Sequence, residues 1–437
     1  MNGIERRAKR KESDEEKNRR ERIIRLYSGT ICRSIFEMLL LAAAEKRHKP
    51  FTLEAIVNYL DANYDSPKHS GQMFKDFGIS KMENIVEAQL VAVFKSQANL
   101  LGGKDYRRAI GVAEALRRIQ PRMTGISSKK LSMQQYSTPL TLAARLGFFV
   151  RLGLCDSRVE IPGKRESIPD WYCFEPTAGN GMLSAFIPPG NLVANELDPD
   201  RFQEFTNILR EVEYSQGGPC NSGLEAFKGY RNVAKVYNQD ALSEDLYKEA
   251  CGGTIRRCFR AMLLNPPFAT LGTPTTFDGC RISKMEHLIA LKSLRLLHPQ
   301  GRAALIIGGK AKYDQYGILR TITESPFIRY LYSHYVVQAN VTFSGKSYAV
   351  QGANFPFRVI LINGVRETPD KGVLPPTQRE DPYYDHPAID FAELDQYIVP
   401  LISVWDTSDG KNRLLLDDRN NLRFVRTAME AHKKMFA

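Results

Sequence analysis

The feature that most constrains the fold is an alternation of short apolar runs with segments of helical periodicity between residues 171 and 307. The apolar runs predict strands at 171–174, 192–195, 233–237, 261–264 and 303–307. The segments between them predict the start of a helix at 182–186 and helices at 199–212 and 284–297. Because helices connect the strands, we expect a parallel sheet with both faces covered. Residues 332–341 and 357–363 have no helix between them and predict a final antiparallel pair.

The first 130 residues differ from the rest in periodicity and charge. Helical spacing of apolar residues predicts helices at 21–47, 53–62, 82–100 and 106–119, preceded by a disordered arm or an exposed helix start. This stretch carries 26 Lys and Arg against 16 Asp and Glu, a net charge of +10, whereas residues 131–364 carry +5 and 365–437 carry −3. A basic segment of this kind is typical of polyanion-binding proteins, although a solvated basic face has the same composition.

Composition disfavours several classes of protein. No apolar run reaches the length of roughly 18 residues that a membrane-spanning helix needs, and no apolar stretch with a cleavage site follows the charged N-terminus, as a secretory signal would require. The seven cysteines are odd in number and contain no Cys-x-x-Cys pair. We therefore expect reduced thiols, a cytoplasmic location, no metal site and no membrane partner.

The first predicted strand runs into a glycine turn, Glu175-Pro176-Thr-Ala-Gly179-Asn-Gly181, and then into a helical segment. This arrangement cradles nucleotides, because glycine lets the backbone approach a ligand closely. The spacing is not Gly-x-Gly-x-x-Gly, and no Gly-Lys-Ser/Thr follows in this turn, which disfavours a dinucleotide or an ATP phosphate. The acidic Glu175 suits a cationic ligand, and a purely structural tight turn is the alternative.

Two further carboxylates follow the next two predicted strands. Glu196 stands at the tip of the second strand, where an acid can bind ribose hydroxyls, whereas Asp198 can cap the helix that starts at Pro199. Asp240, after the third strand, can accept a hydrogen bond from an adenine amino group. A surface acid is the alternative for Glu196, and a helix N-cap is the alternative for Asp240.

The fourth predicted strand ends in Asn265-Pro266-Pro267-Phe268. Two prolines end a strand abruptly, so this tetrapeptide is held at the strand tip, where open parallel sheets bind ligands. The Asn265 amide oxygen and the Pro266 carbonyl are acceptors that can bind both hydrogens of an exocyclic amino group. Phe268 offers a face on which a flipped base can stack. A simple loop breaker is the alternative.

Four motifs in this order resemble those of the S-adenosylmethionine-dependent amino-methyltransferases. They are Glu-Pro-x-x-Gly-x-Gly, Asn-Glu-x-Asp, Asn-x-Asp and Asn-Pro-Pro-Phe. The upstream Tyr136-Ser-Thr138-Pro139 and its helix look like the Tyr-x-Thr-Pro segment of the gamma-class N6-adenine DNA methyltransferases. The resemblance covers about residues 130–365. It implies an α/β fold with the Rossmann-like sheet of class I methyltransferases, an N-terminal helical domain, and S-adenosylmethionine as cofactor.

The resemblance also implies roles for individual residues. The implied cofactor-binding residues are Tyr136, Thr138, Pro139, Glu175, Pro176, Gly179, Gly181, Glu196, Asp240 and Asn265. The implied catalytic residues, which hold the target amine and its ring, are Asn265, Pro266, Pro267 and Phe268. No metal ligand is implied.

The sequence departs from this family downstream. Members with this motif order normally carry a large target-recognition domain after the catalytic one. Here the catalytic segment is followed by about 70 residues, whose net charge is negative. We therefore predict a basic helical domain (1–130) that binds nucleic acid or a partner, a methyltransferase domain (131–365), and a C-terminal extension (366–437). More loosely, NPPF, FDG, EHLIALKSL and GRAALIIGG are similar to methyltransferases associated with helicase-like proteins of mobile elements, which implies a helicase-like or restriction-system partner.

The predicted reaction is methyl transfer from S-adenosylmethionine to the N6 amine of adenine in DNA, with base flipping. The alternatives are an RNA base methyltransferase acting on adenine N6 or guanine N2, a protein glutamine methyltransferase, and an inactive nucleic-acid-binding subunit. Lys310 and Tyr313 are secondary candidates for the border of the base pocket, and the loop at 344–348 is a secondary candidate for DNA contact.

Overall fold

A computed structural model describes most of the 437 residues. The described residues are part of 35–43, then 49–64, 79–100, 106–121, 137–155, 173–187, 189–216, 235–309, 314–318, 325–351 and 355–402. Predictions for residues 1–34, for Tyr136, for Lys310 and Tyr313, and for the tail from 403 onward lie outside this part of the chain.

The described part of the N-terminal third consists mainly of helices. Its helices are α1 (Leu53–Tyr64), α2 (Ile79–Leu100) and α3 (Tyr106–Ile119), and the described residues between 35 and 43 are helical as well. The next helix, α4 (Leu140–Cys155), begins directly after the Thr138-Pro139 pair. Buried apolar residues at helical spacing explain these elements, as the sequence predicts.

The centre of the molecule is a seven-stranded sheet. Its first four strands in chain order are β1 (Cys173–Glu175), β2 (Leu192–Asn195), β3 (Lys235–Tyr237) and β4 (Phe259–Leu264). They are joined in space as β3-β2-β1-β4, and every pair is parallel. Helices α5 (Pro199–Gln216) and α6 (Glu244–Ala250) belong to the connections that follow β2 and β3.

A small hairpin interrupts the chain after β4. Its strands, β5 (Thr270–Phe277) and β6 (Cys280–Lys284), are antiparallel to each other and lie outside the main sheet. Helix α7 (Met285–Leu294) then leads into β7 (Leu297–Gly308), which pairs parallel with β4. The sequence predicts neither this hairpin nor the start of β7 at Leu297, because the Thr-rich β5 is largely exposed and lacks an apolar alternation.

The far edge of the sheet is antiparallel. Helix α8 (Ser325–His334) precedes β8 (Tyr335–Phe343), and β9 (Phe357–Val365) inserts between β7 and β8, antiparallel to both. The complete order is β3-β2-β1-β4-β7-β9-β8. This mixed α/β fold, a mostly parallel sheet with helices on both faces, is Rossmann-like, and the predicted antiparallel end pair is confirmed.

One element after the glycine turn differs from the prediction. The predicted helix at 182–186 is wrong, since the segment forms a single 3₁₀ turn, Leu183–Phe186. Prolines at 188 and 189 explain the difference, because they stop a helix from extending past Ile187.

Side chains alternate between the two faces of the sheet, so both faces carry an apolar core. One core contains Leu263 and is formed with the N-terminal helices, α4, α5 and the C-terminal helix α9 (Asp395–Ile402). The other core contains Leu264 and is formed with α6, α7 and α8. The described helices of 1–130 therefore share a hydrophobic core with one face of the sheet. No helix in the described part of the chain has the length and apolar character to cross a bilayer.

Candidate active site

The candidate site lies at the carboxyl edge of the sheet, where the strand order reverses. From β1 the order runs to β2 and β3 on one side and to β4 on the other, so the reversal lies between β1 and β4, the type of position at which open α/β sheets bind ligands. Register confirms that the strand ends meet at one edge: Glu175 pairs with Ala194, and Asn195 pairs with Tyr237. Asn265 immediately follows β4 at the same edge. The four motif segments are thus brought together at a position where α/β sheets bind ligands.

The glycine turn adopts a conformation that needs glycine. Gly179 and Gly181 have φ values of 59° and 82°, a region that other residues rarely occupy. A Cβ on Gly181 would lie 2.0 Å from the ring of Phe205 on α5, so this glycine also permits close packing of helix and loop. Both positions therefore have a structural reason to be glycine, and their predicted role in cofactor binding stays a prediction.

Asn195 joins three of the strand-tip loops, a role that the sequence reasoning missed. Its Nδ2 donates hydrogen bonds of 2.9 Å to the carbonyls of Pro176 and Gln239, and its Oδ1 accepts one of 2.9 Å from the Gln239 amide. Its own carbonyl accepts from the Ala178 amide at 2.8 Å. An amide side chain supplies both donor and acceptor, which explains why Asn rather than an acid stands at this buried strand end.

Glu196 is buried and bonds to backbone amides. Its Oε2 accepts from the Gly179 amide at 2.7 Å, and its Oε1 accepts from the Asp198 amide at 2.8 Å. Burial raises the pKa of Glu196 above its ordinary value, and these amide bonds and Arg201 oppose that shift. Glu196 therefore holds the glycine turn directly, and the surface-acid alternative is wrong because its side chain is only 8% exposed.

The other two strand-tip acids have different environments. Asp198 caps α5, as the sequence allows, by accepting from the amides of Asp200 at 2.9 Å and Arg201 at 3.2 Å. Asp240 is exposed and accepts from the Leu242 amide at 2.9 Å. The N-cap of α6 is Ser243 instead, so the helix-cap alternative for Asp240 is wrong.

Several buried polar atoms surround the glycine turn without a hydrogen-bonding partner among the described residues. They are Glu175 Oε2, Thr177 Oγ1, and both Oδ1 and Nδ2 of Asn180. Glu175 and Asn180 are only 1% and 2% exposed. Buried polar groups are normally hydrogen-bonded, so unsatisfied groups concentrated at one turn indicate a ligand-binding site. A ligand with amino, carboxylate and hydroxyl groups, such as the methionine and ribose parts of S-adenosylmethionine, fits this donor and acceptor set.

Glu175 does not face solvent but a lysine from the N-terminal region. Burial raises the pKa of Glu175 to about 8, opposed by Ser184 and by Lys95 of α2. Burial lowers the pKa of Lys95 to about 7, opposed mainly by Glu175. Because both groups are buried, each stabilises the charged form of the other, and the carboxyl can exchange its proton near neutral pH.

On the β4 side, Asn265 is oriented by the segment that precedes α4. Its Nδ2 donates a hydrogen bond of 3.0 Å to Thr138 Oγ1, and its Oδ1 is the acceptor end of the same amide. The hydroxyl of Tyr348, buried in the turn Gly345–Gln351, lies close to both Thr138 and Asn265. Burial raises the pKa of Tyr348, so this phenol is protonated at neutral pH. The sequence indicates the 344–348 loop only as a candidate for DNA contact, and no local pattern marks Tyr348 as a neighbour of Asn265.

The other three residues of the tetrapeptide are buried or half-buried beside Asn265. Pro266 is buried, and Pro267 and Phe268 are half-buried. The carbonyl of Pro267 accepts a hydrogen bond from the Ala269 amide at 3.1 Å. No hydrogen bond to the Pro266 carbonyl occurs among the described residues. The ring of Phe268 meets that of Phe355, just before β9, edge to face with centroids 5.6 Å apart. Phe355 is a second aromatic residue at this site that the sequence reasoning did not identify.

Comparison with known proteins adds the following. No protein-family model and no curated protein matches the sequence. Three solved structures that align with this chain are the type IIG restriction endonuclease BpuSI (12% identity, TM-score 0.37), the M protein of the type I restriction enzyme EcoKI (14%, 0.34) and an rRNA methylase from Streptococcus thermophilus (15%, 0.28). The alignment with the endonuclease covers 81% of this chain but only 38% of the endonuclease, so this chain spans well under half of that protein. The alignment with the M protein covers 92% of this chain and 94% of that protein. The alignment with the rRNA methylase covers 53% of this chain and 99% of that protein. Identities and TM-scores this low carry no information on the substrate.

Proposed function

We propose that this chain transfers a methyl group from S-adenosylmethionine to the N6 amino group of adenine in DNA. The observation that carries the proposal is the orientation of Asn265 at the tip of β4. Thr138 accepts from its amide nitrogen at 3.0 Å, so its amide oxygen is held ready to accept from a substrate amine. This acceptor lies across the strand-order reversal from a glycine turn with unsatisfied buried polar groups.

The cofactor half of the site is built on β1, β2 and β3. When bound, S-adenosylmethionine supplies an electrophilic methyl group on a cationic sulfur. Glu175 contributes a carboxyl suited to a cationic ligand, and Thr177 and Asn180 contribute unsatisfied hydrogen-bonding groups beside it. Glu196 is the proposed ribose partner, since each carboxylate oxygen can accept a further hydrogen bond beyond those from Gly179 and Asp198. Asp240 is exposed next to them and is the proposed adenine partner.

The amine half of the site is built on β4. The Asn265 amide oxygen and the Pro266 carbonyl are the two acceptors that would bind the hydrogens of one amino group. Accepting both hydrogens concentrates the nitrogen lone pair, which is otherwise delocalised into the ring, so the amine becomes nucleophilic without a metal or a covalent intermediate. The main contribution of these residues is therefore positioning and electrostatic stabilisation.

Phe268 and Phe355 are the proposed walls for a planar base. Their rings are in edge-to-face contact, which leaves aromatic surface on one side of Asn265. A base inside a duplex cannot reach such a site, so the target nucleotide would be flipped out of the stack. The preference for adenine rests on the similarity of Tyr136-Ser-Thr138-Pro139 to the Tyr-x-Thr-Pro segment of N6-adenine methyltransferases.

Nucleic-acid binding is proposed for the basic helical region. Arg107, Arg117 and Arg118 are exposed on α3, so these described side chains can contact phosphates. A helicase-like or restriction-system protein is the proposed partner, because the chain resembles methyltransferases that accompany such proteins.

The experiment that tests the proposal is methylation sequencing of DNA from cells that express the chain, with nucleoside mass spectrometry of DNA and RNA in parallel. The proposal expects N6-methyladenine in DNA at a defined sequence motif. Methylated bases confined to RNA would replace DNA with RNA as the substrate, and methylglutamine in protein would replace both. Tight cofactor and DNA binding without any methylated product would support the inactive subunit instead.

A further inference from the structure

The turn after the glycine loop is unusually short. In the usual strand–glycine turn–helix arrangement a full helix covers this side of the sheet, whereas here Leu183–Phe186 forms one 3₁₀ turn. Helix α2, from the N-terminal region, packs against this turn. The ring of Phe94 on α2 meets that of Phe186 edge to face, with centroids 5.0 Å apart. A sequence-distant helix thus supplies packing that a local helix normally provides.

The neighbouring residue on α2, Lys95, bonds to the same turn. Its side chain is only 1% exposed, and its Nζ donates to the carbonyl oxygens of Ser184 at 3.1 Å and Ile187 at 2.8 Å. The Ser184 carbonyl also accepts from the Ile187 amide at 2.9 Å, and a cation at the carbonyl end of a helical turn is favourable. Arg151 of α4 donates to the Phe186 carbonyl at 2.9 Å, so cations from two helices hold this turn.

Ser184 connects Lys95 to the cofactor side of the turn. Its hydroxyl is fully buried, donates to the Gly181 carbonyl at 3.3 Å, and interacts with the Glu175 carboxyl. A displacement of the turn would therefore move both the second glycine and the carboxyl. This gives a contiguous route from an N-terminal helix to the residues proposed to bind the cofactor.

We propose that Lys95 is a positioning residue for the cofactor: its ammonium group holds the Leu183–Phe186 turn against the glycine loop and stabilises the Glu175 carboxylate that forms when the cationic cofactor binds. The proposal rests on the proposed function, because it assigns a role in binding S-adenosylmethionine. It places a helix of the predicted DNA-binding or partner-binding region within the cofactor-binding unit.

The charges around this pair define its expected pH dependence. Lys95 faces Glu175 and Cys173 from β1 and Arg151 from α4, and Glu175 also faces Glu196 from the tip of β2. A cationic ligand beside Glu175 favours the carboxylate, so binding near neutral pH releases a proton. Without the Lys95 charge the carboxyl holds its proton more tightly, so cofactor affinity near pH 7 falls and its rise with pH shifts upward.

The test is calorimetric titration of S-adenosylmethionine into the full-length protein at several pH values, in buffers of different ionisation enthalpy. For the wild type we expect proton release between pH 6.5 and 8, approaching about one proton per site. For Lys95→Met we expect roughly tenfold weaker binding at pH 7, which corresponds to about one pKa unit, and a pH profile displaced to higher pH. The methylation rate at saturating cofactor should change by less than about threefold.

A matched control separates positioning from packing. Val91 is fully buried on α2 one turn before Lys95, so Val91→Ala loosens the same helix without removing a charge. We expect a lower unfolding temperature for Val91→Ala with an unchanged pH profile of cofactor binding. An unchanged profile for Lys95→Met, with only a similar loss of thermal stability, would overturn the proposal.

Two further results keep the test decisive. If Lys95→Met does not fold, the proton release measured on the wild type tests the proposal instead. The proposal is contradicted if the wild type releases no proton on binding S-adenosylmethionine. It is also contradicted if Glu175→Gln still releases the proton. If the wild type binds no S-adenosylmethionine at all, the proposed function fails rather than the role of Lys95 within it. Binding by the wild type with no difference in Lys95→Met sinks only the present inference.

Discussion

The side-chain nitrogen of Asn265 donates a hydrogen bond of 3.0 Å to the hydroxyl oxygen of Thr138, a residue 127 positions earlier in the chain. This bond decides which end of the amide is presented at the tip of β4. With one hydrogen of the NH₂ group engaged, the carbonyl oxygen is the group that we propose as the acceptor for the substrate amine. A hydroxyl before α4 is thus hydrogen-bonded to an asparagine after β4, which brings the two motifs together.

The first prediction concerns that hydroxyl. Thr138→Val keeps the shape but removes the acceptor, so the Asn265 amide loses its fixed orientation. We expect the methylation rate at saturating substrates to fall roughly tenfold to hundredfold, the range for loss of a hydrogen bond to a buried polar group. Thr138→Ser should retain activity within about threefold, because its hydroxyl can accept the same bond. Equal activities for Val and Ser variants in a steady-state assay would contradict this role.

A second prediction concerns the packing behind the glycine turn. In Gly181→Ala the new Cβ meets the Phe205 ring at 2.0 Å and the backbone keeps a φ of 82°. We expect the free energy of unfolding to fall by on the order of 2–4 kcal/mol, from overpacking and from the left-handed backbone. Urea denaturation measures this loss. Gly272→Ala is the matched control, since no atom lies within 4 Å of its added Cβ, and a comparable loss in the control would refute the explanation.

The pH dependence of stability gives a third prediction. Burial raises the pKa of Glu175 from 4.5 to about 8, so between these values the folded state holds a proton that the unfolded state has released. The stabilising contribution is complete below pH 4.5 and is lost as the pH rises through 8. Burial lowers the pKa of Lys95 to about 7, so Lys95 is charged in both states near pH 5 and begins to lose its proton in the folded state only as the pH approaches 7, which offsets a small part of this slope.

The variant Glu175→Gln removes this titration. Urea denaturation without ligand measures the free energy of unfolding of both proteins. The variant's value relative to that of the wild type should increase by about 2–3 kcal/mol from pH 5 to pH 7, as expected for one proton. Parallel profiles for the two proteins would show that Glu175 titrates normally.

A fourth prediction addresses nucleic-acid binding. Deleting the N-terminal region would remove α2, which shares a core with the sheet, so a charge substitution is the cleaner test. Replacing Arg107, Arg117 and Arg118 together by Gln should weaken DNA binding and lower the slope of log affinity against log salt by about 2–3 if each arginine meets a phosphate. The control replaces exposed Arg329, Lys371 and Arg379, with the same change in net charge. Equal salt slopes for the two triple variants would remove α3 from the DNA interface.

Much of the fold follows from local sequence pattern. The strands β1, β2 and β4 are predictable because buried parallel strands are short apolar runs bounded by turns, and α3 is predictable because its apolar residues repeat at helical spacing. The helix predicted after the glycine turn is wrong, because prolines at 188 and 189 outweigh the apolar pattern before them. The exposed β5–β6 hairpin carries no apolar signal at all.

The site is predictable in part for a similar reason. Glu175 ends β1, Glu196 and Asn265 directly follow β2 and β4, and the carboxyl ends of parallel strands meet at one edge. Lys95 and Tyr348 come to the same edge from other parts of the chain, and no local pattern marks such contacts. Lys95 in particular reads as one more solvated charge in a basic region, whereas it is buried against a turn 89 residues away.

The measurement that tests the account most directly is single-turnover methyl transfer to DNA by the wild type and by Asn265→Ala, with cofactor binding measured on the same samples. We expect N6-methyladenine from the wild type, a loss of at least about hundredfold in the rate for Asn265→Ala, and cofactor affinity within about threefold of the wild type. Full transfer by Asn265→Ala would contradict the claim that the Asn265 amide oxygen holds the target amine.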